Sequence, residues 1–296
     1  MFEAIGAPQI SVVVPSYNSA GTILGTISRL LQQTLPPTEI IVVDDGSTDS
    51  TREVLRPVAE KINYLYQPNK GPAAARNFGI KASVGEFIAF TDSDCLPDKE
   101  WLANLMSGFH CKKVAGVGGA VKSIDQSTVG RHIDLARILE PKANESGQVP
   151  YLVTCNACFR RTVLLEVGLF DERFHKPGGE EPELCQRITD RGYQFCWRKE
   201  AKVLHYHRQT VFSFLRTLAN YGEGLYLHST LRPERKLKQP LKLFLRQCLA
   251  IRSACQDITS YVKTYGRKAA LAFVLLNYLR PLAYIGGYLR GKWRHA

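Results

Sequence analysis

The stretch Phe87-Ile88-Ala89-Phe90-Thr91-Asp92-Ser93-Asp94 is an apolar run that ends in two carboxylates. Its first four residues are typical of a buried strand. Side chains two residues apart in an extended chain point the same way, so Asp92 and Asp94 can bind one hard cation such as Mn²⁺ or Mg²⁺. Substrate phosphates commonly complete the coordination of such an ion. The stretch predicts either a metal site for a phosphate-bearing substrate or an acidic turn capping a helix that begins near Pro97.

Strands and helices alternate on the N-terminal side of this stretch. The apolar patterns predict strands at 10–15, 40–43, 63–67 and 86–90, and helices at 21–33, 51–61 and 72–82. This alternation favours an α/β fold with a mainly parallel central sheet. Ligands of such sheets lie beyond the carboxyl ends of the strands. The segments 15–18, 44–45 and 92–94 all fall there, so we expect them to converge on one crevice.

The composition excludes few classes of protein, whereas the sequence motifs exclude several classes of enzyme. The 296 residues are 45% hydrophobic and 22% charged, as in an ordinary globular protein. No G-x-G-x-x-G follows the first strand, which disfavours a dinucleotide dehydrogenase. An aspartyl phosphatase would carry its D-x-D after the first strand rather than the fourth. The eight cysteines are scattered, which indicates reduced packing residues. The first residues lack a signal-peptide pattern, so we expect a cytoplasmic start.

Five motifs in this order resemble glycosyltransferase family 2, whose members have the GT-A fold. They are VVPSYN at 13–18, VVDDGSTD at 42–49, AAARNFG at 73–79, FTDSD at 90–94, and GEEPEL at 179–184 with Arg187. The resemblance implies a Rossmann-like nucleotide-sugar-binding domain, which we place at residues 1–230. It also implies an inverting transfer from a nucleoside diphosphate sugar, by default a UDP-sugar, that depends on Mn²⁺ or Mg²⁺.

The resemblance also implies roles for individual residues. Asp94 is the firmer metal ligand and Asp92 lies nearer the nucleotide. His205 either completes the metal shell or contacts phosphate, with His207 as an alternative, unless the histidine is structural. The residues expected to bind the nucleotide sugar are Pro15, Tyr17, Asn18, Asp45, Arg76, Asp92 and Ser93. Tyr17 offers a ring to the base and Arg76 a partner for the diphosphate, unless Arg76 is a surface residue. Asp44 is expected either to line the same pocket or to cap its turn.

The candidate general base lies in Gly178-Gly179-Glu180-Glu181, at the start of a predicted helix. Family members commonly have Glu-Asp here, and Glu181 matches the aspartate with one extra methylene. Glu180 therefore remains an alternative, and both acids can also simply complement the helix dipole. We expect Gly179, Trp197 and Asn156 on the acceptor side. Trp197 is equally a candidate core residue and Asn156 a structural support.

The C-terminal segment 231–296 carries the excess positive charge, with 14 Lys+Arg against 2 Asp+Glu. A helix is predicted from Val211 with a break at 221–224, then a basic linker at 231–240 and an amphipathic cationic helix around 241–251. The apolar runs 269–279 and 282–289 meet at Arg280-Pro281, which favours an interfacial or re-entrant hairpin over a spanning helix. We therefore predict that the whole extension is basic, amphipathic and α-helical. It is expected to bind anionic lipid, with a helical cap or an oligomer contact as alternatives and no nucleic acid.

These observations together predict a metal-dependent inverting glycosyltransferase, attached peripherally to the inner face of the cell membrane. Its acceptor would be a lipid-linked saccharide or a cell-surface polysaccharide. Two rivals remain from the sequence: a sugar-nucleotide phosphoryl-transfer enzyme, and a catalytically silent nucleotide-sugar-binding subunit of a membrane assembly.

Overall fold

A computed structural model describes residues 8–124, 127–207, 210–231 and 258–294 of the chain. The predicted basic linker and amphipathic helix at 232–251 lie outside these residues. The chain forms two compact units. The first comprises Met1–Ile124, Arg137–His175 and Glu181–Tyr206, and the second comprises Asp125–Ala136, Lys176–Glu180 and His207–Ala296. The second unit therefore begins earlier than residue 231 and includes two segments inserted within the first.

The first unit is built on a nine-stranded sheet whose first half is parallel. Its first strands are β1 (Ile10–Ser16), β2 (Glu39–Asp45), β3 (Asn63–Gln67) and β4 (Phe87–Phe90). They pair in parallel in the order β3-β2-β1-β4. The connecting helices are α1 (Ile23–Leu30), α2 (Thr51–Val54) and α3 (Pro72–Ala82). The predicted strand-helix units are confirmed, although a 3₁₀ helix, Arg56–Lys61, replaces the second part of the predicted helix 51–61.

The second half of the sheet is mixed. Its strands are β5 (Cys95–Pro97), β6 (Val114–Ser123), β7 (Gln148–Val149), β8 (Ala157–Arg160) and β9 (Gln194–His205). The order continues β4-β8-β6-β9-β5, with β7 also on β9. Only β6 and β9 are parallel here, and the other pairs are antiparallel. The sheet beyond β4 therefore departs from the parallel pattern predicted for it.

The prediction of a helix beginning near Pro97 is wrong. Cys95–Pro97 forms a short strand on β9, and the helix that follows, α4, is Trp101–Met106. A proline is tolerated in β5 because this strand lies at the end of the strand order, where its missing N–H interrupts no ladder. Strand β9 is also longer than the predicted 194–197, and it carries His205 as its last residue.

Two apolar layers cover the faces of the sheet. Val12 and Val14 belong to one cluster, whereas Val13 belongs to the other, because alternate side chains of a strand point to opposite faces. Helices α6 (Arg161–Glu166) and α7 (Glu180–Asp190) add residues to the second cluster. Strands β1, β2 and β4 are thus buried on both sides, whereas the edge strand β3 is partly exposed, and the polar ends of these strands are left to form a site.

The described part of the second unit is helical. Its helices there are α5 (Thr128–Leu135), α8 (Val211–Leu231), α9 (Ile258–Tyr265) and α10 (Arg267–Arg294). The predicted break at 221–224 is wrong because α8 is continuous. Its glycines allow close packing instead: a Cβ on Gly222 would lie 1.9 Å from the Tyr284 carbonyl, and one on Gly224 would lie 1.8 Å from the Gly178 carbonyl.

Helix α10 runs through Pro281, so the hairpin predicted at Arg280-Pro281 is also wrong. Proline removes one backbone hydrogen bond, but α10 packs extensively against α8, which supports it. Within the described residues, α10 is the one helix whose length and composition would allow it to cross a membrane. Length and composition are weak evidence, because core helices of soluble proteins share them.

Candidate active site

The loops that follow β1, β2 and β4 are bonded to one another at the carboxyl edge of the sheet. Asn18, in a left-handed conformation with φ of 49°, accepts a hydrogen bond from the Thr48 N–H at 2.8 Å. Its own N–H donates to Ser47 Oγ at 2.9 Å. The hydroxyls of Ser19 and Ser93 are 2.7 Å apart, which joins the first loop to the acidic turn. The structure therefore brings the three predicted segments together.

Tyr17, beside Pro15, is 51% exposed at this edge, so its ring is accessible to a nucleotide base. Asp44 is occupied within its own turn: it accepts hydrogen bonds from the Ser47 N–H at 2.8 Å and from the Tyr64 hydroxyl. Burial raises the pKa of Tyr64, and the hydrogen bond to Asp44 raises it further. Asp44 was expected either to line the nucleotide pocket or to cap its turn, and these hydrogen bonds support the role in the turn.

Asp45 holds the segment in front of α3. Its carboxylate accepts from Gln67 Nε2 at 2.7 Å, from the Lys70 N–H at 2.9 Å and from the Gly71 N–H at 2.8 Å. A carboxylate offers about four acceptor positions, so one position is left for a donor group of a ligand. The predicted contact with a nucleotide remains compatible with this arrangement.

Arg76 is buried and lies beside Asp92. Its Nη2 is 3.3 Å from Asp92 Oδ1, and its guanidinium lies over the ring of Phe170 at 5.8 Å. The alternative of an exposed surface arginine is therefore wrong. A guanidinium placed next to a half-buried carboxylate at a sheet edge can also contact phosphate oxygens.

The acidic motif is a turn and not the extended segment assumed from the sequence. Ser93 and Asp94 form the turn, and the Cys95 N–H donates to the Asp92 carbonyl at 3.1 Å. The two carboxylates consequently have different neighbours. Asp92 pairs with Arg76, whereas Asp94 Oδ1 lies 3.2 Å from His205 Nε2.

Strand pairing positions Asp94 and His205. The β5–β9 ladder places Cys95 opposite His205, and the Tyr206 N–H donates to the Asp94 carbonyl at 2.9 Å. Asp94, Cys95 and His205 form the one group in the described part of the chain that could hold a metal ion, with ligand atoms within 4.8 Å of one another. His205 rather than His207 thus accompanies Asp94, and His207 belongs to the second unit.

Sequence reasoning missed Cys95 and its neighbour Cys155. Both thiols are buried. Burial raises the pKa of Cys95 well above 9.0, and the hydrogen bond to Cys155 adds to this shift. The bond from Cys95 lowers the pKa of Cys155, but burial and the charges of Asp92, Glu181 and Asp94 raise it overall. The acidic turn and Glu181 therefore border the same buried thiol. No signal in the sequence places Cys155 there, because the contact is made across the sheet.

The two candidate bases have different partners. Glu180 is buried in the second unit, where its Oε2 accepts from the Gly178 N–H at 2.7 Å. Glu181 is part-buried in the first unit, and its Oε1 accepts from the Thr154 N–H at 2.6 Å and from the Thr154 hydroxyl. Glu181 thus belongs to the same unit as the acidic turn, whereas Glu180 supports its own loop. Thr154, which orients Glu181, was not among the predicted site residues.

The residues predicted on the acceptor side are not equivalent. Asn156 is fully buried: its amide donates to the Ala120 and Ala201 carbonyls at 2.9 and 2.8 Å, and accepts from Trp101 Nε1 at 2.8 Å. It cannot contact an acceptor, so that assignment is wrong and the structural alternative holds. Trp197 is half-buried against the second apolar layer. Gly179 lies in the second unit, immediately before α7, with φ of 97°.

Comparisons with known proteins agree with this architecture. The family model described as glycosyl transferase family 2 matches residues 11–168. The chain is 32% identical over 222 residues to the pre-mycofactocin glycosyltransferase of Mycobacterium tuberculosis, covering 72% of this chain and 46% of that protein. It is 31% identical over 206 residues to the glycosyltransferase AglE of Haloferax volcanii, covering 67% of each. The chain thus spans about half the length of the first of these relatives.

A solved structure confirms the predicted GT-A fold. The mannosyltransferase PcManGT from Pyrobaculum calidifontis, in complex with GDP-Man and Mn²⁺, superposes with a TM-score of 0.70. The match covers 99% of this chain and 89% of that one at 19% sequence identity, a level at which the likeness shows the fold alone.

Proposed function

Because the chain belongs to glycosyltransferase family 2, we propose that it transfers a sugar from a nucleoside diphosphate sugar, by default a UDP-sugar. The acceptor is a lipid-linked saccharide or a cell-surface polysaccharide. The observation that carries the proposal is the Asp94–His205 pair at 3.2 Å, at the carboxyl edge of the sheet. The buried Arg76 and the carboxylate of Glu181 border this same part of the first unit.

The donor set fits a divalent ion. A carboxylate oxygen and an imidazole nitrogen both suit Mn²⁺, and Asp94 and His205 are each partly exposed. They would hold the ion, with the buried thiol of Cys95 beside them. A bound ion would supply Lewis-acid stabilisation of the diphosphate leaving group. The mannosyltransferase of similar fold was solved with Mn²⁺, which supports this part of the proposal.

In this proposal, separate residues bind the nucleotide, bind the diphosphate and accept the proton. Tyr17 and Asp45 bind the nucleotide, and Arg76 attracts the diphosphate while Asp92 keeps its guanidinium in place. Glu181 takes the proton of the acceptor hydroxyl, and Thr154 orients its carboxylate for this step. The acceptor oxygen forms a bond to the anomeric carbon as the bond to the diphosphate breaks. Attack opposite the leaving group gives inversion.

The basic C-terminal segment supports a peripheral attachment to the inner face of the cell membrane. Residues 231–296 have 14 Lys+Arg against 2 Asp+Glu, and they include the apolar helix α10. Clustered cationic residues next to an apolar helix favour binding to anionic lipid. Such an attachment would keep the protein on the same surface as a lipid-linked acceptor.

The test is diphosphate release from a panel of UDP-, GDP- and dTDP-sugars with Mn²⁺ or Mg²⁺. We expect release from one donor, and a loss on the order of 100-fold or more in Asp94→Asn and in Glu181→Gln. Asp98→Asn is the matched control, because this carboxylate lies outside the metal group. Calorimetric titration with Mn²⁺ separates the two roles: binding should weaken in Asp94→Asn and persist in Glu181→Gln. Full release by both variants would refute the proposal.

A further inference from the structure

Helix α10 carries a continuous exposed apolar face, which we name the outer face. Its members recur every three, four or seven residues and therefore lie along one side of the helix. They are Leu271 (68% exposed), Leu275 (56%), Tyr278 (45%), Leu282 (58%), Leu289 (58%) and Trp293 (84%). A contiguous apolar surface of this kind marks an interaction site rather than ordinary scattered exposure.

The opposite side of α10 is packed and partly ionic. Phe273 and Leu276 are buried there, and Arg290 and Arg294 reach Glu223 of α8 at 2.7 and 3.2 Å. Lys176 approaches the same carboxylate at 3.4 Å, and we name these four residues the Glu223 cluster. A helix that crossed a bilayer would take α8 and this cluster into hydrocarbon, where charged groups are costly. The inner side of α10 therefore argues against a spanning orientation.

Charge identifies the occupant of the outer face. Arg267 and Lys268 stand at the start of α10 and Lys292 stands in its last turn, with no acidic residue in the helix. Pairing with a second copy along this face would bring basic ends against basic ends in an antiparallel arrangement, and equally so in a parallel one. An anionic lipid surface complements both ends at once.

We propose that α10 lies flat in the head-group region of an anionic bilayer, with its outer face turned toward the acyl chains. This inference rests on the proposed membrane attachment and assigns it to particular residues and to one orientation. The outer face, from Leu271 to Trp293, is about 33 Å long at 1.5 Å per residue. A flat helix keeps this whole length at one depth, whereas a spanning helix would distribute it across the hydrocarbon core.

Depth-dependent quenching by brominated phospholipids tests the orientation in the full chain. Trp293 is the exposed indole, whereas Trp101 is fully buried and Trp197 is half-buried. Leu271→Trp and Leu282→Trp, each made with Trp293→Phe, place the indole at the other end and at the middle of the outer face. We expect equal depths at the three positions. A middle position deeper than both ends by more than about 10 Å would overturn the flat orientation.

Sedimentation with phosphatidylglycerol-containing vesicles tests the face itself. Leu275→Glu and Leu282→Glu should each lower the vesicle partition coefficient about tenfold or more, since each replaces an apolar side chain that would insert among the acyl chains. Leu165→Glu is the matched control, because Leu165 is an exposed helical leucine of the first unit, and it should bind as wild type does. Unchanged binding of both α10 variants would overturn the proposal, as would dissociation of a dimer without any change in vesicle binding.

Diphosphate release in vesicle-free solution separates this inference from the proposed function. The leucine variants should release diphosphate from the donor at the wild-type rate, because their side chains lie outside the first unit. Failure of the proposed transfer would appear in that assay for every protein, including wild type. Failure of the membrane inference would appear in sedimentation alone.

Discussion

Replacing Asn156 with alanine tests whether this residue supports the site or binds acceptor. The amide makes three hydrogen bonds inside the sheet, to the carbonyls of Ala120 and Ala201 and from the indole of Trp101. At about 1 kcal/mol net for each bond, their loss costs roughly 3 kcal/mol. Two carbonyls and an indole N–H would also be left buried without partners, which raises the expected loss to about 3–6 kcal/mol. That is a large share of an ordinary folding stability of about 5–15 kcal/mol.

Urea unfolding followed by tryptophan fluorescence measures this loss, because the fully buried Trp101 reports on the affected contact. Asn104→Ala is the matched control. Its amide makes a single exposed bond to the Glu200 carbonyl at 3.1 Å, so we expect a change below about 0.5 kcal/mol. A change below about 1 kcal/mol in Asn156→Ala would refute the reasoning. So would a stable variant whose only defect is a raised KM for acceptor.

Three further predictions concern positioning, backbone strain and acid stability. Thr154→Val should lower kcat about tenfold with donor KM unchanged, because Glu181 loses one orienting bond, and Thr154→Ser should restore it; equal rates would contradict this role. Gly71→Ala should cost more stability in urea than Gly192→Ala, since both have positive φ but only at Gly71 would a Cβ meet a backbone carbonyl, at 2.4 Å. Burial alone would raise the pKa of Glu223, but the cations of its cluster hold it below 4.5. The stability it contributes is therefore present above pH 4.5 and lost as the pH falls further, so thermal unfolding of Glu223→Gln should show a smaller loss in acid than wild type.

The parallel half of the fold was predictable because its signals are local. Strands β1, β2 and β4 are apolar runs, each with a helix beside it in the sequence, and buried parallel strands need no other pattern. Strand β5 was not predictable, because its partner lies in the last residues of β9, far along the chain. Pro97 in isolation is typical of a helix start, and only the edge position in the sheet explains it as part of a strand.

The candidate site shows the same contrast between residues that the sequence predicts and contacts that it does not. Asp94 was predicted from the spacing of the two carboxylates and His205 from a family resemblance, and the structure brings them together. The partners that orient the site were not predicted: Thr154 holds Glu181, and Arg76 pairs with Asp92. These contacts depend on which strands become neighbours, and short motifs carry no information about that.

The pairing of β5 with β9 has a consequence for how an ion would be bound. Asp94 and His205 are distant in sequence, and closing a flexible loop on the order of 100 residues costs about 4 kcal/mol in chain entropy. The backbone hydrogen bonds between β5 and β9 offset this entropy cost, and they do not require an ion. A bound ion would therefore not be needed to hold Asp94 beside His205, and we expect a chelator to abolish turnover while leaving the melting temperature nearly unchanged.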